Sequence, residues 1–119
     1  MSGVPLKIKA WNEELNLMTR IDKINCKRGL LYKNGHILFL FTGTLDQNDS
    51  EIYDGDILLY HKKKYSVSWS LESGQWVRQS ITDKEEPPIW LSVDDARQSY
   101  RLCHYLESSN EGDLVSGFH

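Results

Sequence analysis

Oxygen-bearing side chains crowd one short stretch of this sequence, Asp46, Asn48, Ser50 and Glu51, near the alternate positions from which a calcium loop draws its ligands. The spacing then fails. A loop of that kind starting at Asp46 needs glycine where Glu51 stands and a bidentate glutamate where Ile57 stands, so a solvated turn is the better account. Asp54 and Asp56 flank Gly55 and would share one face of a strand, an arrangement that could pair two carboxylates for proton transfer. Asp-Gly-Asp at a strand start is far more often turn chemistry. His36 and His61 border turns and His119 is terminal, so none has a partner at metal-ligand spacing. Cys103 and His104 are adjacent, which on a strand sends them to opposite faces. A Cys26–His104 nucleophile would need a proximity that nothing in the spacing supplies. Gly29, Gly35 and Gly43 stand apart from one another, so no glycine-rich phosphate loop exists. Lys62, Lys63 and Lys64, followed by Tyr65 with Trp69 and Trp76 nearby, resemble the basic rim and stacking platform of a single-strand-binding barrel. The plainer reading is a charged hairpin tip that discourages edge pairing. Trp69 and Trp76 fall on strands with inward alternation and read as core, whereas Trp90, after Pro87-Pro88 in a loop, is the best exposed-aromatic candidate for a partner contact.

The elements that must position these residues are strands. With 119 residues there is room for one modest core, and four Trp and six Tyr supply much of its area. A net charge of -3 provides no global field toward phosphate backbones or anionic lipid. No apolar run approaches the roughly 18 residues of a membrane span, and no signal peptide is recognisable, so the expectation is a cytoplasmic protein that does not bind membranes. Cys26 and Cys103, far apart in sequence, fit a reducing compartment and free thiols.

Residues 1–5 are small and polar and are expected to be loose. Leu6-Lys7-Ile8-Lys9-Ala10-Trp11 alternates apolar and basic residues as a half-wet strand, with Trp11 on the lysine side but covered. A return segment follows over Leu15 to Arg20, and an extended piece through Ile21, Ile24 and Cys26 closes at Lys27-Arg28-Gly29. Asn34-Gly35 separates two apolar runs and predicts a tight type I′ hairpin. The unbroken run Ile37 to Phe41 predicts a central strand buried on both faces. The stretch from Phe41 to Tyr60 organises the rest: it leaves one apolar strand, passes a polar turn, tightens at Asp54-Gly55 and enters another strand. A further hairpin is expected to turn near His61 to Lys64, and Tyr65, Val67 and Trp69 to point inward. Ser92-Val93-Asp94-Asp95 reads as a capped helix start of one or two turns, followed by a closing strand within Ser99 to Leu106. The expected fold is therefore mainly β, a small barrel-like (SH3-like) domain over residues 6–107 with N-terminal β-hairpins and at most one short helix. Residues 108–119 are expected to form a disordered tail.

Phe41-Thr42-Gly43, Leu45-Asp46-Gln47-Asn48 and Glu51-Ile52-Tyr53-Asp54-Gly55-Asp56-Ile57 together resemble the signature of the YopX family of phage and prophage proteins. Lys7-Ile8-Lys9-Ala10-Trp11-Asn12, with Met18 beyond it, is similar to that family's N-terminal segment. The sequence departs from the family pattern at Asn48-Asp49-Ser50 and from Cys103 to Ser108. The resemblance implies a mainly β domain, with Gly43, Asp46, Glu51, Tyr53, Gly55 and Asp56 as signature residues of structural role. It brings no enzymatic activity and no cofactor with it. The function expected is that of a non-enzymatic accessory protein in a bacterial host cell, binding an unknown protein partner, with self-association left open. The alternative is a small nucleic-acid-binding barrel that uses Lys62, Lys63 and Lys64, with Trp90 as a further candidate contact.

Overall fold

The structure, a computed structural model, describes residues 7–21 and 24–109. The chain divides into two compact units, Met1–Phe41 and Thr42–His119. The expected loose start and the tail from residue 110 lie outside the described residues.

In the first unit, β1 (Ile8–Asn12) pairs antiparallel with β2 (Leu17–Arg20), and on its other side with the first residues of β5 (His36–Leu45). The β1–β2 connection is held by Asn12, whose Oδ1 accepts from the amides of Glu14 and Leu15, both at 3.0 Å. Ile8, Ala10, Trp11 and Phe39 are the buried apolar residues here, so Trp11 is covered as the sequence suggested. A separate two-stranded ribbon joins β3 (Asn25–Lys27) to β4 (Leu30–Tyr32). Its two-residue turn, Arg28 (φ 52°) and Gly29 (φ 79°), has the double positive φ of type I′.

That geometry was expected at Asn34-Gly35, and there the structure differs. Gly35 has φ 73° while Asn34 lies outside the positive region, and Lys33 C=O accepts from His36 N at 3.1 Å, which is the pattern of a type II turn. No hairpin results, because β4 is committed to β3 and the start of β5 to β1, from His36↔Asn12 to Leu40↔Ile8. Tertiary pairing has overridden the local turn signal. The run Ile37 to Phe41 is central in its sheet but not buried on both faces: Ile37 and Leu40 are exposed.

In the second unit, the end of β5 lies beside β6 (Glu51–Tyr53). A five-stranded antiparallel sheet follows, in the order β10 (Ile89–Trp90), β9 (Gln75–Ser80), β8 (Lys63–Ser70), β7 (Asp56–Tyr60), β11 (Tyr100–His104). It curls as a half-barrel. The β7–β8 connection is a two-residue turn, His61 (φ 48°) and Lys62 (φ 67°), so the hairpin expected near His61 to Lys64 is present in type I′ form without Asn or Gly. Register sets the faces. Leu58 opposes Tyr65 and Val67 opposes Arg78, which puts Leu58, Tyr60, Tyr65, Val67, Trp76 and Arg78 on one side of the sheet. The core lies there, built from Ile52, Leu58, Val67, Leu91 and Ala96, with Trp76 against it. Trp69 shares that face but runs past the core and is 46% exposed, contrary to its expected burial.

Ala96 enters the core from α1 (Val93–Arg97), whose N-cap Ser92 accepts from Asp95 N at 3.0 Å, as the capping pattern indicated. A second short helix, α2 (Tyr105–Ser109), follows β11 directly, one more than the sequence suggested, and it takes in the start of the expected tail. Among the described residues the protein is thus mainly β, with two helices of five residues each.

Candidate functional site

Asp46, Gly55 and Asp56 of the signature meet the start of β7 and β11, while Gly43 stands apart within β5. Asp46, just past β5, is buried and binds its own loop: Oδ1 accepts from Asn48 N at 2.8 Å and from Ser50 N at 2.9 Å. Its Oδ2 accepts from Arg101 N at 2.7 Å, fastening the loop to β11. Arg97 adds a second tie, donating to Asp46 O at 3.0 Å and to Asp49 Oδ1 at 2.7 Å, and Gln47 N donates to Ser99 O at 2.9 Å. The oxygen-rich loop that suggested calcium is therefore filled by the chain's own amides and a guanidinium. Among the described residues no group of three His, Cys, Asp or Glu side chains is placed to hold a metal ion.

Asp56 is fully buried, and its Oδ2 accepts from Tyr53 N at 2.7 Å and from Arg101 Nε at 2.9 Å. Burial alone would lower the affinity of Arg101 for its proton, but the bond and charge of Asp56, with Glu107 behind it, raise its pKa above the usual value. Asp54 shares no bond with Asp56. Partial burial, and then the charge of Asp56, push its carboxyl pKa up. His104 is fully buried: Nε2 lies 2.9 Å from Asp54 O, and Nδ1 accepts from Leu106 N at 3.2 Å, which places the ring proton on Nε2. Gly55 holds the centre. At φ +85° it donates to Val67 O at 2.8 Å and accepts from Tyr105 N at 3.0 Å, and any Cβ built on it would overlap the His104 ring. Gly43 (φ +86°) has open space about it, so backbone conformation alone asks for glycine there. Glu51 Oε1 accepts from Tyr53 Oη at 3.2 Å. The network joins the β5–β6 loop, the β6–β7 turn, β11 and α2 through charge-assisted bonds.

The surface candidates separate. Lys62 is in the type I′ turn, while Lys63 and Lys64 are successive strand residues on opposite faces, so the triplet does not form one rim. Trp90 is 57% exposed; its register with Val77 places it on the face opposite Trp76. Leu71, in the loop joining β8 to β9, is 91% exposed, two residues beyond Trp69, which meets Trp76 edge to face at 5.3 Å. Sequence reasoning passed over Arg101 and Arg78, and weighed His104 only as a partner of Cys103 or Cys26. Their one local signal was a polar residue at a position where the strand alternation points inward.

A small mainly β protein with two short helices, folded around two buried carboxylates, Asp46 of the β5–β6 loop and Asp56 of the Asp-Gly-Asp turn, is the class that these features define. The family model described as YopX protein matches residues 8–96, three quarters of the chain, and the chain belongs to that family. No curated protein matches it. Among solved structures, the crystal structure of protein EF1440 from Enterococcus faecalis is similar, with a TM-score of 0.58 and 14% identity, over 92% of this chain and 99% of that one. At that identity the likeness concerns the fold alone.

Proposed function

We propose that this protein is a non-enzymatic binding module, a phage- or prophage-type accessory protein of the bacterial cytoplasm that engages a protein partner. The observation that carries this reading is a set of exposed apolar side chains in the second unit: Trp69 at the end of β8, Leu71 in the loop that follows it, and, on the other side of the sheet, Trp90 on the short edge strand β10. Aromatic side chains supply large contact area at low entropic cost, and large exposed apolar side chains cost solubility unless something covers them. The buried carboxylates support the same reading, because both oxygens of Asp46 and Oδ2 of Asp56 are engaged by backbone amides and Arg101. An SH3-like use of a small curled sheet as a protein-binding platform is in keeping with it.

The test is capture from host extract, followed by reconstitution with the purified partner. Leu71→Ser and Trp90→Ala are expected to weaken the reconstituted complex at least about tenfold, the scale of a truncated interface anchor. The Lys62→Ala/Lys63→Ala/Lys64→Ala variant should bind as wild type. A sub-micromolar complex with single-stranded DNA or RNA that the triple variant abolishes would refute this reading in favour of a nucleic-acid module. Three lysines alone would lose about fortyfold in affinity between 50 and 200 mM salt.

A further inference from the structure

Arg78 is placed in an unusual way for a structural arginine. It sits on the core side of β9 with its side chain only 10% exposed. Its guanidinium lies 4.6 Å from the centre of the Tyr60 ring and 4.6 Å from that of Tyr65. Asp95 of α1 approaches, but Oδ2 stands 3.7 Å from Nε, beyond hydrogen-bonding distance, while Oδ1 accepts from Tyr60 Oη at 3.1 Å. Nε is buried with no hydrogen-bond partner. A cation held among aromatic rings, with a buried N–H left open, is costly unless an acceptor completes it.

We infer that Arg78 is a socket for one carboxylate of an acidic peptide segment. The two rings, 6.2 Å apart and steeply inclined to one another, pack against the guanidinium from adjacent sides, and a planar anion would complete the N–H groups that they leave without an acceptor. Tyr60 and Asp95 hold one another, which fixes one wall. His61 packs edge-on against Tyr60 at 4.1 Å, and Lys63 opposes Tyr60 in register; both are exposed, and the Lys63 ammonium favours an incoming anion. Asp95 decides its charge. A doubly charged phosphate would bring two negative charges against that carboxylate, whereas a carboxylate brings one. Ile89, opposite Arg78 on edge strand β10 and partly exposed, offers an apolar neighbour for a peptide chain. The socket does not rest on Leu71 or Trp90, so its failure would leave the binding-module reading standing, and the reverse.

The test follows the Arg78 Nε–H resonance by proton–nitrogen NMR while the whole protein is titrated with an acetylated tetraglutamate peptide, its tetraglutamine counterpart, or inorganic phosphate. Expected is a saturable shift with tetraglutamate, none with tetraglutamine, and weaker or no saturation with phosphate. Asp95→Asn, which keeps an acceptor for Tyr60 while removing the competing charge, should tighten tetraglutamate binding at least about threefold. Arg78→Lys, which keeps the charge and loses both the planar fork and the probe resonance, should abolish the shifts that tetraglutamate induces in the backbone amides of the neighbouring Val77 and Gln79. The Lys62→Ala/Lys64→Ala variant, which leaves Lys63 in place, should keep the shift. A silent Arg78 resonance, equal response to tetraglutamine, saturation by phosphate instead, or Asp95→Asn binding no tighter would each overturn the assignment. The Asp95→Asn arm decides the matter even if Arg78→Lys does not fold.

Discussion

Replacing Gly55 by alanine tests how the signature turn is built. Gly55 has φ +85°, where an L-residue costs roughly 1–2 kcal/mol. The added Cβ would also sit 2.9 Å from His104 Cε1 and 3.0 Å from Tyr105 Cδ1, and closer still to His104 Nε2. His104 is buried and cannot swing aside without giving up its bonds to Asp54 O and Leu106 N. Each buried group left unsatisfied costs about 1–3 kcal/mol, so the whole penalty comes to about 4 kcal/mol. Gly74 serves as the control: it has φ +65° and open space around it, so Gly74→Ala should cost only the backbone term, about 1–2 kcal/mol. Equilibrium urea unfolding measures both. In a His104→Ala background the extra penalty at position 55 should vanish, leaving a coupling of at least about 2 kcal/mol between the two sites. Equal costs for Gly55→Ala and Gly74→Ala, or no coupling, would refute the reasoning.

Replacing His61-Lys62 by Asn-Gly should stabilise the protein by about 1 kcal/mol and raise its melting temperature, because both positions have positive φ and neither native residue prefers it. Asp46→Ala should cost about 3 kcal/mol or more by urea unfolding, since three amides lose a buried acceptor. Asp54→Asn should be more stable than wild type at neutral pH. The folded state raises the pKa of Asp54, so it binds that proton more tightly than the unfolded chain, and wild-type stability falls as pH rises from the ordinary carboxylate range through the raised value. The advantage of Asp54→Asn should therefore shrink as pH falls below about 4, which melts across pH would show.

The β character was legible because alternation is local: Ile8 and Ala10, and Tyr65 and Val67, are buried as their spacing required. The Ser92 cap was legible for the same reason. Turn type was not. Asn34-Gly35 carries the strongest hairpin signal in the chain, yet the pairing of β5 with β1 decides its geometry, and the type I′ turns fall at Arg28-Gly29 and His61-Lys62. The buried network was half legible. Asp46, Gly55 and Asp56 stand out as turn residues, but Arg101 meets them across 55 and 45 residues of sequence, a distance that no local pattern spans. His104 was set aside as a ligand partner of Cys103, and its actual place, against Gly55 and between Asp54 and Leu106, depends on how β11 pairs with β7. Free thiols at Cys26 and Cys103 agree with the sequence reading.

The central claim is that the signature folds the protein and that outward apolar side chains bind its partner. Amide hydrogen exchange of the protein alone and with the purified partner bound tests both halves at once. The account expects new protection over residues 69–77 and 89–91, and none at 46–56 or 100–104, where the buried network is expected to protect the amides in the free protein as well. Partner-induced protection confined to 46–56 and 100–104, with 69–77 and 89–91 unchanged, would contradict it.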